Sequence, residues 1–406
     1  MRTRRNLLRA VGGVGIVGLA GCSGDGSTPT SEATPTATES TPGGPSEGED
    51  DDTDGPGAWR SLDADAGHTS ANPAAAGPNA SPTLETVFDQ PSVENILTAP
   101  AVADDTLVYL DESQIRAVSL DGEEQWSFGW GGEQSPLPTP AIWDGTVYFP
   151  TSDALVSITD GGSSWSEDLP AQPVSSPIVT ADGIYLLTEG EQYTIVSYDH
   201  EGTERFRAPW DEPLSRPSVD GSTLYHYRER QYDPNQLVAR DATDGGVRWT
   251  KRDFETSTIP VAADGSVYCF RPDRYGSVVV ALSAADGAEE WTSDVLTEPV
   301  VGTPAIGEEA VYVATTRGVR AFARADGSAA WEEPYTADSS VTGQPRVDGR
   351  SLYLTGGDTA VAVGLGNGQE RWSTSFGTDG DPGVLGIAPV GDRVYATTQR
   401  KVVALA

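Results

Sequence analysis

Few side chains in this 406-residue chain belong to types that do covalent or metal chemistry. The cysteines are Cys22 and Cys269, and the histidines are His68, His200 and His226. The histidines are far apart, with no zinc-ligand spacing, and read as isolated polar or surface residues. Cys269 lies in the strand-like run Val267-Tyr268-Cys269-Phe270, where a buried small hydrophobe is the expectation rather than a reactive thiol. Asp50-Asp51-Asp52-Thr53-Asp54-Gly55 matches the first half of a calcium loop, but Ser61 stands where the bidentate Glu is required. There is no Gly-x-Ser-x-Gly, phosphate-binding loop or dinucleotide fingerprint. The sequence therefore assigns no catalytic residue and no metal ligand.

The elements that would position any site are a repeat. One clear copy reads Thr139-Pro140-Ala141-Ile142-Trp143-Asp144-Gly145-Thr146-Val147-Tyr148, then Ala154 to Ile158, then Asp160-Gly161-Gly162 and Trp165. Its tyrosine recurs eight times, at Tyr109, Tyr148, Tyr185, Tyr225, Tyr268, Tyr312, Tyr353 and Tyr395. Its closing aromatic recurs at Trp126, Trp165, Phe206, Trp249, Trp291, Trp331 and Trp372, a spacing of 41 residues averaged from Trp126 to Trp372. Short β-branched runs separated by Asp-Gly turns at this period predict propeller blades of about four strands. The last copy stops after Lys401 to Ala406, and Pro82 to Phe88 is a lone strand-like segment near the front. Joined, the two complete one blade. The expectation is an all-β, eight-bladed propeller over residues 82–406, its last blade closed by N- and C-terminal strands.

The elements Ala239-Arg240-Asp241-Ala242-Thr243-Asp244-Gly245-Gly246-Val247-Arg248-Trp249 and Ala281 to Trp291 resemble the PQQ-like repeat of quinoprotein dehydrogenases and of the bacterial outer-membrane assembly lipoprotein. Residues 59–81, with Trp59, His68 and Asn72-Pro73, look like the leader before the first blade in such proteins. The resemblance gives the repeat aromatics a role as wedges between blades, from which Phe206 departs. It also brings pyrroloquinoline quinone (PQQ) into view. The adjacent Cys-Cys pair of the dehydrogenases is missing, and their calcium and catalytic residues map onto no position here, so no cofactor is expected. The non-enzymatic branch fits better.

The N-terminus carries an address. Thr3-Arg4-Arg5-Asn6-Leu7-Leu8-Arg9 resembles a twin-arginine export signal, with Arg4 and Arg5 as its pair, and Leu19-Ala20-Gly21-Cys22 resembles a lipobox. Residues 1–21 are then a cleaved lipoprotein signal, and Cys22 is the lipidated residue that anchors the chain to the outer face of the membrane. That leaves Cys269 without a disulfide partner. Residues 22–58, rich in Ser, Thr, Pro and acidic residues, read as a disordered tether. Asn79-Ala80-Ser81 is a glycosylation sequon.

Charge supplies the second strong signal. There are 61 acidic residues against 26 basic, a net of −35, and only Lys251 and Lys401 are lysines. An acidic surface almost free of lysine resembles the adaptation of salt-in haloarchaea, in which molar salt screens self-repulsion. Nucleic acid is an unsuitable ligand for such a surface. Two connections, Tyr227 to Gln236 and Phe270 to Gly276, concentrate Arg228, Arg230, Tyr232, Arg271, Arg274 and Tyr275. Arg and Tyr are enriched at interaction hot spots, so these are the candidate partner-binding residues, with pairing to local carboxylates as the competing reading. The expected function is a monomeric, lipid-anchored, cell-surface binding or scaffold module for a protein, peptide or glycan. A quinone- or metal-dependent oxidoreductase with a degenerate site is the alternative.

Overall fold

Turn chemistry fixes the hairpins. Asp144 and Gly145 have φ of 47° and 69°, and Asp264 and Gly265 have 47° and 81°. Two consecutive positive values make the tight turn whose twist matches that of the strands it joins. Around Asp144-Gly145 the second blade folds as Ala141–Trp143, Thr146–Pro150, Ala154–Thr159 and Gly162–Asp168, all antiparallel. The computed structural model describes residues 58–89, 95–130, 138–229, 234–256, 258–338, 340–376 and 383–406. The export signal with Arg4 and Arg5, the lipobox Cys22, the acidic Asp50 to Gly55 stretch, Arg230 and Tyr232 lie outside these residues.

Eight such sheets form a closed ring. The inner strands of the other blades are Ala101–Ala103, Ile178–Thr180, Ser218–Asp220, Val261–Ala263, Ala305–Ile306, Arg346–Asp348 and Val384–Val390. Inner strands touch between blades 1 and 2, 2 and 3, 4 and 5, 6 and 7, and 7 and 8, and the inner strand of blade 8 touches that of blade 1. Leu84–Asp89 supplies the outer strand of blade 8, antiparallel to Lys401–Leu405, with Leu84 opposite Leu405. The fold is the eight-bladed, terminally closed propeller the repeat predicts, with no helix among the described residues.

The core sits between blades rather than at a single centre. Val108 and Ile115 of blade 1 pack on Ile142, Phe149 and Val156 of blade 2. Tyr353 and Trp372 of blade 7 pack on Val394, Val403 and Leu405 of blade 8. Trp165, Trp249, Trp291 and Trp331 add a directional bond across their seams. The Trp249 indole N–H donates to the Ala284 carbonyl at 2.8 Å, Trp291 to Arg324 at 2.7 Å, and Trp331 to Leu365 at 2.7 Å. Each ring covers a turn glycine of the next blade. A Cβ at Gly287 (φ 70°) would stand 2.8 Å from Trp249 Cζ3. Phe206 covers Gly245 in the same way but has no N–H, and the Tyr185 hydroxyl alone donates to the Ala242 carbonyl, at 3.1 Å.

Two features depart from the sequence reading. Phe270 to Gly276 is not an open loop: strands Ser266–Asp273 and Gly276–Ser283 run out to a two-residue turn, Arg274-Tyr275. Nor do all outer strands run full length. That of blade 6 is only Tyr335–Thr336, just after Pro334, which has no N–H for a ladder.

Candidate functional site

The inner strand of each blade is an edge, and its middle residue turns an unpaired N–H toward the axis. The leader answers these donors in turn. Val102, Ile142, Val219, Ala262, Ile306 and Val347 donate to the carbonyls of Trp59, Arg60, Ala66, Gly67, Thr69 and Ser70, at 2.7 to 3.0 Å. Ala71–Asn72 then joins blade 7 as a parallel strand on Arg346–Asp348. In blade 8 the residue equivalent to Ile142 is Pro389, which has no donor; the Asn72 side-chain amide reaches its carbonyl instead, at 3.1 Å. In blade 3 the middle residue is Val179, which lines a cavity of about 20 Å³ with Arg60, Ser61, Asp65, Ala66, Ala141 and Trp143. That volume has room for about one water molecule.

The leader therefore threads the axis of the ring as a hoop. It leaves between blades 7 and 8, where the Trp372 indole donates to Pro78 O at 2.8 Å. Asn79 follows, exposed, its side-chain oxygen accepting from Arg371 at 3.0 Å. Ala64, His68 and Ser70 take φ of 74°, 61° and 54°, left-handed conformations; the His68 ring and the Ser70 carbonyl bond to the surrounding blades.

A charged hub is folded into the hoop. Asp63 is 1% exposed; its Oδ1 accepts from Gln344 and lies 3.4 Å from Arg346 Nη1. His68 Nδ1 lies 3.1 Å from Asp63 Oδ2, and Nε2 meets Pro217 O at 2.8 Å. Burial by itself would raise the Asp63 carboxyl. The His68 contact and the charges of Arg346, His68 and Arg216 outweigh burial and hold it well below the usual carboxylate range. Arg346 also donates to Leu62 O at 2.6 Å and lies over the Trp59 ring.

The two faces of the ring differ. Asp-Gly turns join first to second and third to fourth strands on one face. The second-to-third hairpins and the blade-to-blade connections lie on the other, here called the loop face. Arg271, Arg274 and Tyr275 meet there at one hairpin tip. Arg271 is paired to Glu289 at 2.7 Å, as the competing reading allowed. Arg274 lies over the ring of Tyr275, which at 69% exposure stands out from the surface. Arg228 ends the second strand of blade 4 and is buried, its guanidinium 3.8 Å from the Trp210 ring centroid.

The remaining chemistry-bearing side chains are structural. His226 is fully buried rather than a surface residue, its Nε2 accepting from Arg240 at 3.0 Å. Burial, then the charges of Arg240 and Arg228, hold its pKa well below the usual value. His200 bridges Tyr148 and the Thr180 carbonyl, both at 2.9 Å. Cys269 is buried, which pushes its thiol up to about 12. Among the described residues no group of three His, Cys, Asp or Glu side chains could hold a metal. The buried His68–Asp63 contact was invisible in the sequence. Only the chain reversal at Ser61 to Ala64 brings the two together.

Comparison with known proteins adds a family. The family described as outer membrane protein assembly factor BamB matches residues 111–215 and 194–406. No curated protein matches the sequence. Among solved structures, the chain is similar to BamB from Moraxella catarrhalis, with TM-score 0.56 and 18% identity over 80% of this chain and 97% of that one. It is similar to the quinohemoprotein alcohol dehydrogenase ADHIIG from Pseudomonas putida HK5, with TM-score 0.61 and 15% identity over 86% and 80%. It is also similar to the computationally designed Ika8 protein, with TM-score 0.64 and 11% identity over 79% and 99%. At such identities these structures share its fold.

Proposed function

Since the chain belongs to the family of the outer membrane protein assembly factor BamB, we propose that it is a non-catalytic binding or scaffold propeller. It is held at the outer face of the cell membrane by a lipid on Cys22, after twin-arginine export. The observation that carries this reading is the laced axis. The channel in which a ring fold would hold a small reactant is filled by the protein's own leader, through six backbone hydrogen bonds to six blades. Recognition is left to the surface, and the loop face offers the exposed Arg274-Tyr275 tip. A rigid ring that presents an arginine-stacked tyrosine suits a protein, peptide or glycan partner.

The test is a crosslinked pull-down from membranes at native salt, with wild type beside the double variant Arg274→Ala, Tyr275→Ala. A specific partner is expected with wild type and lost with the variant, at unchanged melting temperature. Loading the purified chain with PQQ and calcium is the counter-test. Dye-linked alcohol oxidation that appears on loading would overturn the non-catalytic reading in favour of an oxidoreductase.

A further inference from the structure

Blade 3 is where the hoop leaves a donor unanswered, and the cause lies across the axis. The Arg60 carbonyl is taken by Ile142 of blade 2 and the Ala66 carbonyl by Val219 of blade 4, which pins both ends of the segment between them. Within that segment Asp63 reaches across to Gln344 and Arg346 of blade 7 instead of staying beside blade 3. Val179 stands opposite Ile184 as Ile142 stands opposite Val147, so its N–H has the same aim toward the axis. Among the described residues no backbone carbonyl receives it. Blade 8 carries a proline at this place, Pro389, and so has no donor to satisfy; blade 3 keeps the donor. Val179 is 8% exposed, and a buried N–H without an acceptor is costly.

The cavity of about 20 Å³ lies at this residue, and its walls carry donors and acceptors together. Asp65 brings a carboxylate, held in place by the Thr69 N–H at 2.9 Å and by the Thr69 hydroxyl. Ser61 brings a hydroxyl, in a residue 8% exposed. Arg60 lines the same space with its guanidinium 4.8 Å from the Trp143 ring centroid. An anion there would face the Asp65 carboxylate, and a cation would face an N–H and a guanidinium. A neutral molecule that both accepts and donates suits these walls, and the volume admits one of the size of water. We propose that the cavity is the site of one structural water, which accepts the Val179 N–H and donates to the Asp65 carboxylate, with the Ser61 hydroxyl as a third partner. The water stands in for a leader carbonyl on blade 3. It lets the leader depart to build the Asp63 hub without leaving a buried amide unpaired. The site is independent of the Tyr275 tip and does not require the scaffold reading.

The test is a high-resolution crystal structure of the purified chain grown in molar KCl, with a second crystal grown in KBr. One peak is expected in the cavity, within about 3.2 Å of both Val179 N and an Asp65 carboxylate oxygen, and without anomalous signal in bromide. V179P gives blade 3 the residue that blade 8 already carries and removes the donor, so the peak should be lost from its place beside residue 179. D65A, which removes the acceptor, should have the same effect and serves where V179P does not fold. A cavity with no peak in wild type, bromide in that position, or a peak that stays in place in V179P or D65A overturns the proposal.

Discussion

Replacing Asp63 with Asn tests whether the hub holds the leader in the axis. The substitution keeps the shape and one acceptor but strips the charge that answers Arg346, which is 6% exposed. Leaving a buried guanidinium without its partner costs about 3–5 kcal/mol. Residues 58–406 make up the ring and hoop. At roughly 2.1 cal/mol/K per residue their unfolding entropy is about 0.7 kcal/mol/K, so the melting temperature should fall by about 4–7 °C. Salt should not remove the difference, because the pair is buried. The pH dependence has a definite sign. The folded Asp63 carboxyl lies below its unfolded value, so its stabilisation is complete above the unfolded carboxylate pKa of about 3.9 and is lost as pH falls toward the folded value. The gap between wild type and D63N should narrow below about pH 4. Removing both charges in D63N with R346Q should recover much of the loss, since an absent pair costs less than a broken one. The assay is thermal melting followed by tryptophan fluorescence at fixed molar KCl. A D63N protein melting within about 1 °C of wild type, or single losses that simply add in the double variant, refutes a hub that secures the hoop.

Three further outcomes follow from the same contacts. Gly287→Ala places a methyl group 2.8 Å from the Trp249 ring at φ 70°, so it should cost about 1–3 kcal/mol and be read as a lowered denaturation midpoint. Trp249→Phe should cost less, about 0.5–1.5 kcal/mol for one hydrogen bond, because Phe206 already fills the same wedge in blade 3. Melting should rise steeply with KCl between about 0.1 and 3 M, as screening relieves the self-repulsion of a chain with net charge −35; a flat response rejects halophilic adaptation.

The candidate site was only partly legible in the sequence. The concentration of Arg271, Arg274 and Tyr275 could be seen as composition, and the structure puts all three on one hairpin. Arg228 had the same composition and a different fate: the last residue of its strand, it packs on the Trp210 ring, and sequence spacing does not mark that contact. His226, also in that strand, is fully buried beside Arg240.

What the sequence determined by itself is the ring. Blade number, hairpin positions and closure by Leu84–Asp89 follow from local rules: Asp-Gly pairs that accept positive φ, alternating β-branched residues, and one aromatic per period. Each signal lies within a few residues of the structure it produces. Tertiary structure alone decided the path of the leader. Its bonds run from backbone carbonyls, which leave no mark on residue type, to amides in blades up to 277 positions away, as between Ser70 and Val347. Only once the inner strands had closed around an axis were those donors left facing a common space, and the single segment positioned to answer them was the one already joined to the closing strand.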